Sequence, residues 1–277
     1  MGDETRLAHL IEEIAQGKRV PYLGPGVAAL SPGAAPASPS DLCAAIEAKV
    51  RAPKRATGNL WSVAQFVESR RFRRTLEAIV QEVFTARPVP GSLHRWIVRA
   101  RPPLVIDAWY DGQILDAAMA EGMGTWGWVQ GISRNGESRD IWTLAYDSTG
   151  ALLGEAPDPA WETLVYKPHG LIRPGHSFLI SDSDYVEVLT EIDIQSPIPD
   201  EVQNRRTGRP FLFLGCRFDD QLLRTYARQV AKRAGQGHVA VIEGPLTRME
   251  EKFFDEMGIE RLDLPLSAVE AAVSVPA

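Results

Sequence analysis

His169 closes the run Val165-Tyr166-Lys167-Pro168 and stands directly before Gly170. At the C-terminal end of a strand in an α/β protein, an imidazole faces the edge where ligands bind, with an ordinary pKa close to working pH. Such a ring can take a proton from a hydroxyl or a water; the alternative is a histidine hydrogen-bonded for structure alone. Two further apolar runs also end in glycine, Arg19–Leu23 before Gly24-Pro25-Gly26-Val27 and Phe211–Leu214 before Gly215-Cys216-Arg217. Glycine lets a chain turn sharply off a strand and brings backbone N–H groups within reach of phosphate oxygens. Pro25 removes one of those donors and fixes φ. Three strand-to-glycine junctions point to a nucleotide site, against the plainer reading of tight turns without a ligand.

The elements that must position these residues follow from periodicity. Leu7, Leu10, Ile11 and Ile14 recur at helical spacing and lead into the strand at Arg19–Leu23. Residues 31–40, rich in Pro, Ala and Ser, predict a loop beside the first glycine turn, with Ser40 or Asp41 capping a helix over Leu42–Val50. Helical patterning runs on through about 41–101 until Pro102-Pro103. Leu104-Val105-Ile106 is a short strand, and Asp107–Gly112 turns into a helix carrying Ile114, Leu115, Ala118 and Met119. Alternating aromatics in about 123–162, with turns at Asn135-Gly136 and Ser148-Thr149-Gly150, predict an inserted antiparallel β-hairpin region. Strands are expected again at Thr163–Lys167, Phe178–Ile180 and Pro210–Leu214, then a helix over Asp220–Ala234, and a last strand ending at Glu243. The fold class expected is α/β, a Rossmann-like doubly wound, mostly parallel sheet, with residues 1–277 forming one domain.

Composition narrows the function classes. The chain has 277 residues, 44% of them hydrophobic and 24% charged, and a net charge of −6, which argues against nucleic-acid binding through phosphates. No apolar run approaches the roughly 20 residues that span a bilayer, so no membrane partner and a cytoplasmic location are expected. Cys43 and Cys216 form neither a pair nor a Cys/His cluster, so no metal site is expected. Arg70, Arg71, Arg73 and Arg74 read as a solvated helix face paired with Glu68 and Glu77.

In order, these segments resemble the sirtuin-like superfamily, and especially its prokaryotic branch without a zinc ribbon. Leu23-Gly24-Pro25-Gly26-Val27 is similar to the family's Gly-Ala-Gly turn at the cofactor pyrophosphate. Leu104–Asp111 looks like its strand ending in Thr-Thr-Asn-Tyr-Asp. Lys167-Pro168-His169-Gly170 and Asp184-Tyr185 resemble its Lys-x-His-Gly segment and later Asp-Tyr, and Phe213–Leu223 resembles its late glycine turn. The resemblance implies NAD as the cofactor, with NADP or ADP-ribose as related ligands, and cleavage of the nicotinamide–ribose bond with His169 as base. It implies cofactor contacts at Gly24, Gly26, Val27, Trp109, Gly215, Cys216, Arg217 and Glu243. Trp109 stands where the family has Asn, and an indole offers one N–H and no acceptor to orient a water. Asp107 and Asp111 flank it and either stabilise a cationic ribose or cap the following helix. Arg217 pairs with a 2′-phosphate or with Asp219 or Asp220. Expected readings are therefore an NAD(P) hydrolase or a catalytically degenerate sensor. A deacylase is disfavoured without zinc-ribbon cysteines, and a second copy or a partner protein is left open.

Overall fold

A computed structural model describes residues 2–33, 35–134, 141–191 and 197–274. Helix α1 (Asp3–Ala15) buries Leu7, Leu10 and Ile14, the helical stripe of the sequence, and feeds β1 (Val20–Leu23). A 3-10 turn (Pro25–Leu30) follows, then α2 (Pro39–Glu47), α3 (Leu60–Arg71), α4 (Arg73–Val83) and α5 (Ser92–Ala100). Next come β2 (Leu104–Asp107), α6 (Gln113–Glu121), β3 (Trp126–Gly131), β4 (Thr143–Asp147), β5 (Leu152–Gly154) and β6 (Thr163–Lys167). The chain closes with α7 (Asp182–Glu191), α8 (Asp200–Arg206), β7 (Phe211–Leu214), α9 (Gln221–Val230), β8 (His238–Val241), α10 (Arg248–Met257), β9 (Ile259–Leu262) and α11 (Leu266–Ser274).

The nine described strands form one sheet in the order β5-β4-β3-β6-β2-β1-β7-β8-β9, parallel from β3 to β9. Strands β1, β2, β6, β7 and β8 are buried throughout, as a sheet covered on both faces requires. Alternate residues enter different cores. Tyr22, Ile106, Tyr166 and Phe213 pack on one face with residues of α2, α3, α4 and α9, while Leu23, Val105, Val165 and Leu214 pack on the other with residues of α1, α5, α6 and α11. From β1 the chain builds outward through β2 to β6, then crosses back to lay β7 on the other flank of β1. That reversal is the topological switch point, and in open α/β sheets ligands bind outside the strand ends there.

Several local expectations need correction. Phe178–Ile180 is not a strand; only a single bridge joins Phe178 to Gly170. The Ile180 and Ser181 amides donate to the Asp184 carboxylate at 2.8 and 3.0 Å, so this segment becomes the lead-in to α7. Strand β8 is not the last, because β9 pairs with it at the sheet edge, where the charged Ile-Glu-Arg-Leu pattern hides a strand. Strand β3 is antiparallel to β4 but parallel to β6, so the 123–162 region widens the main sheet. The Ser148-Thr149-Gly150 turn joins β4 and β5, with the Thr149 and Ala151 amides donating to Asp147; Asn135-Gly136 lies outside the described residues. Helix α2 begins earlier than expected, capped by Ser38, whose hydroxyl accepts from the Asp41 amide at 3.0 Å. Among the described residues no helix is long and apolar enough to cross a membrane.

Candidate functional site

The glycine turns after β1 and β7 lie against each other at the switch point. The Gly24 amide donates to Leu214 O at 2.8 Å and the Gly26 amide to Gly215 O at 2.9 Å, while the Val27 amide donates to Gly24 O at 3.2 Å. These three N–H groups are thus engaged within the protein. The glycines are needed for the approach itself: a Cβ on Gly24 would lie 2.6 Å from Gly215 O, and one on Gly215, at φ +66°, would lie 2.5 Å from the Val27 amide nitrogen. Val27 is buried in the core beneath the turn. Above the crossing opens a cleft of about 380 Å³. Gly26, Ser38, Ser40, Asn59, Arg217 and Asp219 are among the residues that line it.

His169 lies below this cleft, at the foot of the wall made by Pro25, Arg217 and Leu223. The gap it lines measures about 20 Å³, room for about one water and not for a pyridine ring. The ring is 2% exposed and packs against Tyr226, 4.7 Å between centroids. Its Nδ1 lies 2.9 Å from the Tyr185 hydroxyl. Tyr110 donates to Leu179 O at 2.7 Å, so the nearest acceptor left to Tyr185 is Nδ1, against 3.4 Å to Leu179 O. Burial, with Lys167 adding to it, pushes the His169 pKa down to about 3, so the ring is neutral across the physiological range.

Asp107 and Trp109 meet Lys167 rather than the cleft. Lys167, fully buried, donates to the Asp107 carboxylate at 2.5 Å and to Trp109 O at 2.7 Å. Burial pushes Asp107 up to about 6 against the pull of Lys167, which leaves it ionised at neutral pH as half of an ion pair. The Trp109 indole is buried between Phe84 and Tyr110 and donates through Nε1 to Pro36 O at 2.9 Å, so it ties down the loop before α2 and lines neither cavity. Asp111 accepts from the Gln113 amide at 3.0 Å and from its side chain at 3.2 Å, an Asx-turn leading into α6, whose N-cap is Gly112.

On the β7 side, Arg217 lines both cavities but pairs with neither Asp219 nor Asp220. It holds Glu250 bidentately, with both N–O distances 2.7 Å. Glu250 also accepts from the Phe218 and Thr247 amides, and these donors hold its carboxyl down at about 2 despite its burial. Cys216 is buried, and burial alone pushes its thiol up beyond any nucleophilic range. Glu243 is exposed just past β8 and lines neither cavity. The structure thus brings Gly24, Gly26, Gly215, Cys216, Arg217 and His169 to one corner, and leaves Asp107, Trp109, Asp111 and Glu243 outside it. Sequence reasoning missed Glu250, Ser38 and Asn59. Thr247 three residues before Glu250, the capping-box spacing, was the available signal for the first.

No curated protein matches the chain. The family model described as the SIR2-like domain matches residues 103–262, more than half of the sequence, from the lead-in to β2 through β9. The chain therefore belongs to the SIR2-like domain family.

Proposed function

We propose that the protein binds NAD, or an ADP-ribosyl nucleotide, in the switch-point cleft, and that it acts chiefly as a nucleotide-binding module with little turnover. The observation that carries this reading is the contrast between the two cavities. The outer cleft falls within the range of about 300–1,000 Å³ usual for small-molecule sites and combines Arg217 and Asn59 as donors with Asp219 as an acceptor for ribose hydroxyls. The gap at His169 admits a water only. Bound NAD supplies a nicotinamide–ribose bond that breaks as positive charge develops on the sugar. In this chain the histidine that would serve as base for the attacking water is buried at the foot of the cleft. With a pKa near 3 it is also a weak base at neutral pH.

The hydrolase reading rests on one observation, that His169 Nε2 has no hydrogen-bond partner among the described residues and its ring lines the gap just inside the cleft. The two readings separate by calorimetry with NAD, NADP and ADP-ribose, together with chromatography for released nicotinamide. Binding without nicotinamide release is expected. Robust release that disappears in His169→Ala would establish the hydrolase instead, and no binding of any of the three at millimolar concentration would remove the nucleotide reading. The variant to use for the cleft is Ser40→Trp, on the exposed first turn of α2. Gly26→Val is unsuitable because its Cβ would press on Gly215 at 3.0 Å.

A further inference from the structure

The arginine cluster at the α3–α4 junction divides in the structure. Arg73 turns inward: it donates to Asp184 at 2.6 Å, to Glu68 at 3.2 Å and to Phe178 O at 2.5 Å, and lies over the Phe178 ring. Arg70, Arg71 and Arg74 are exposed, and none of their guanidinium groups has a partner among the described residues. Between them Phe72 is 81% exposed, the most exposed large hydrophobic among the described residues. It also adopts φ +69° and ψ 152°, a backbone region open essentially to glycine alone. The chain thus holds a bare aromatic ring at a position where glycine would relieve strain, directly before the anchored Arg73. Such strained positions cluster at sites kept for binding.

Beside this tip runs a groove of about 520 Å³ along one face of α3, lined by Ser62, Gln65, Phe66, Ser69 and Arg70, with Arg55 and Asp182 at its sides. It shares no lining residue with the nucleotide cleft. Two unpartnered guanidinium groups, Arg55 and Arg70, thus line the part-apolar groove, and two more, Arg71 and Arg74, lie within two residues of the exposed Phe72 ring in the chain, on a protein of net charge −6.

We propose that this surface docks an acidic peptide segment of a partner protein, with an apolar side chain seated against Phe66 and Phe72 and carboxylates on the arginines. Charge complementarity selects acidity, and aromatic and Arg enrichment marks protein interfaces. Four charges against a net negative chain are too few for stable phosphate-backbone binding, and a single ring is too small an anchor for a bilayer.

The test uses the full chain without nucleotide, so its outcome is independent of the cleft. A fluorescein-labelled peptide, Glu-Glu-Leu-Glu-Glu-Leu-Leu-Glu-Glu, is titrated by anisotropy, beside the same peptide with Ser for Leu. The leucine peptide is expected to bind saturably, more weakly as salt rises, and the serine peptide at least tenfold more weakly. The triple variant Arg70→Glu, Arg71→Glu, Arg74→Glu should lose binding. Phe72→Gly should bind about tenfold more weakly while melting at a higher temperature, a combination that a purely structural Phe72 would not give. Absence of saturable binding, equal binding of both peptides, or unchanged binding in Phe72→Gly would overturn the proposal. So would tighter binding of duplex DNA or of phosphatidylserine vesicles through the same arginines.

Discussion

Lys167 carries more of the local architecture than any residue chosen from the sequence as chemical. It neutralises Asp107 at the end of β2 and fixes the backbone at Trp109, so removing its charge strands a buried carboxylate. Lys167→Met is expected to cost about 3–5 kcal/mol in urea unfolding, the usual size for breaking a buried pair. A loss below about 1 kcal/mol would mean that Asp107 finds other donors. The buried histidines set the acid limb of stability. Burial lowers His169 to about 3 and both His94 and His238 to about 4, so protonation favours the unfolded chain. Their contribution is complete above pH 6.5 and is lost as pH falls toward 4, by up to about 2 kcal/mol each between pH 6.5 and 5. Asp107, raised to about 6, runs the other way, with stability present below pH 4 and lost as pH rises through 6. Three groups outweigh one. Urea midpoints should fall between pH 7.5 and 5, and should fall less in His169→Gln; equal slopes for the two proteins would contradict the burial of this ring.

At the scale of elements, what the sequence carried well was local and apolar. The β1, β2, β6 and β7 runs could be read because a strand buried on both faces is an unbroken hydrophobic stretch, and α1 because its stripe repeats at helical spacing. What it carried poorly depended on partners far along the chain. Phe178–Ile180 reads as a strand by its apolar run, yet Asp184 takes the Ile180 and Ser181 amides, and β9 is not legible at all because its Ile-Glu-Arg-Leu pattern declares itself only when β8 pairs with it. In the site, His169 and the glycine turns stood out by position at strand ends. The roles of Asp107 and Trp109 were not visible, since nothing in their spacing marks Lys167 and Pro36 as their partners. The Trp109–Pro36 contact can be checked directly. Trp109→Phe keeps an aromatic ring in the site but removes one buried hydrogen bond, worth about 1 kcal/mol, together with part of the indole's packing. Hydrogen exchange of Ala37 and Ser38 should quicken while β2 stays protected; unchanged exchange there would show that the loop is held by packing alone.

For the whole molecule, the crossover from β6 back to β7 creates the corner where two glycine turns, Arg217 and the floor above His169 converge. The matched family segment supplies β2 through β9, while β1, its glycine turn and the Ser38 and Asn59 rims come from residues before it, so the cleft exists only when both parts fold together. A ligand held there should stabilise the entire sheet by linkage, about 2.7 kcal/mol at a hundredfold excess over Kd. The most direct measurement is isothermal titration of the full chain with NAD and ADP-ribose, native against Ser40→Trp, with melting temperatures recorded for both. Saturable binding of both ligands to the native protein is expected, with at least a tenfold loss in Ser40→Trp at an unchanged melting temperature. Undiminished binding in Ser40→Trp, or none in the native protein, would contradict the assignment of the switch-point cleft.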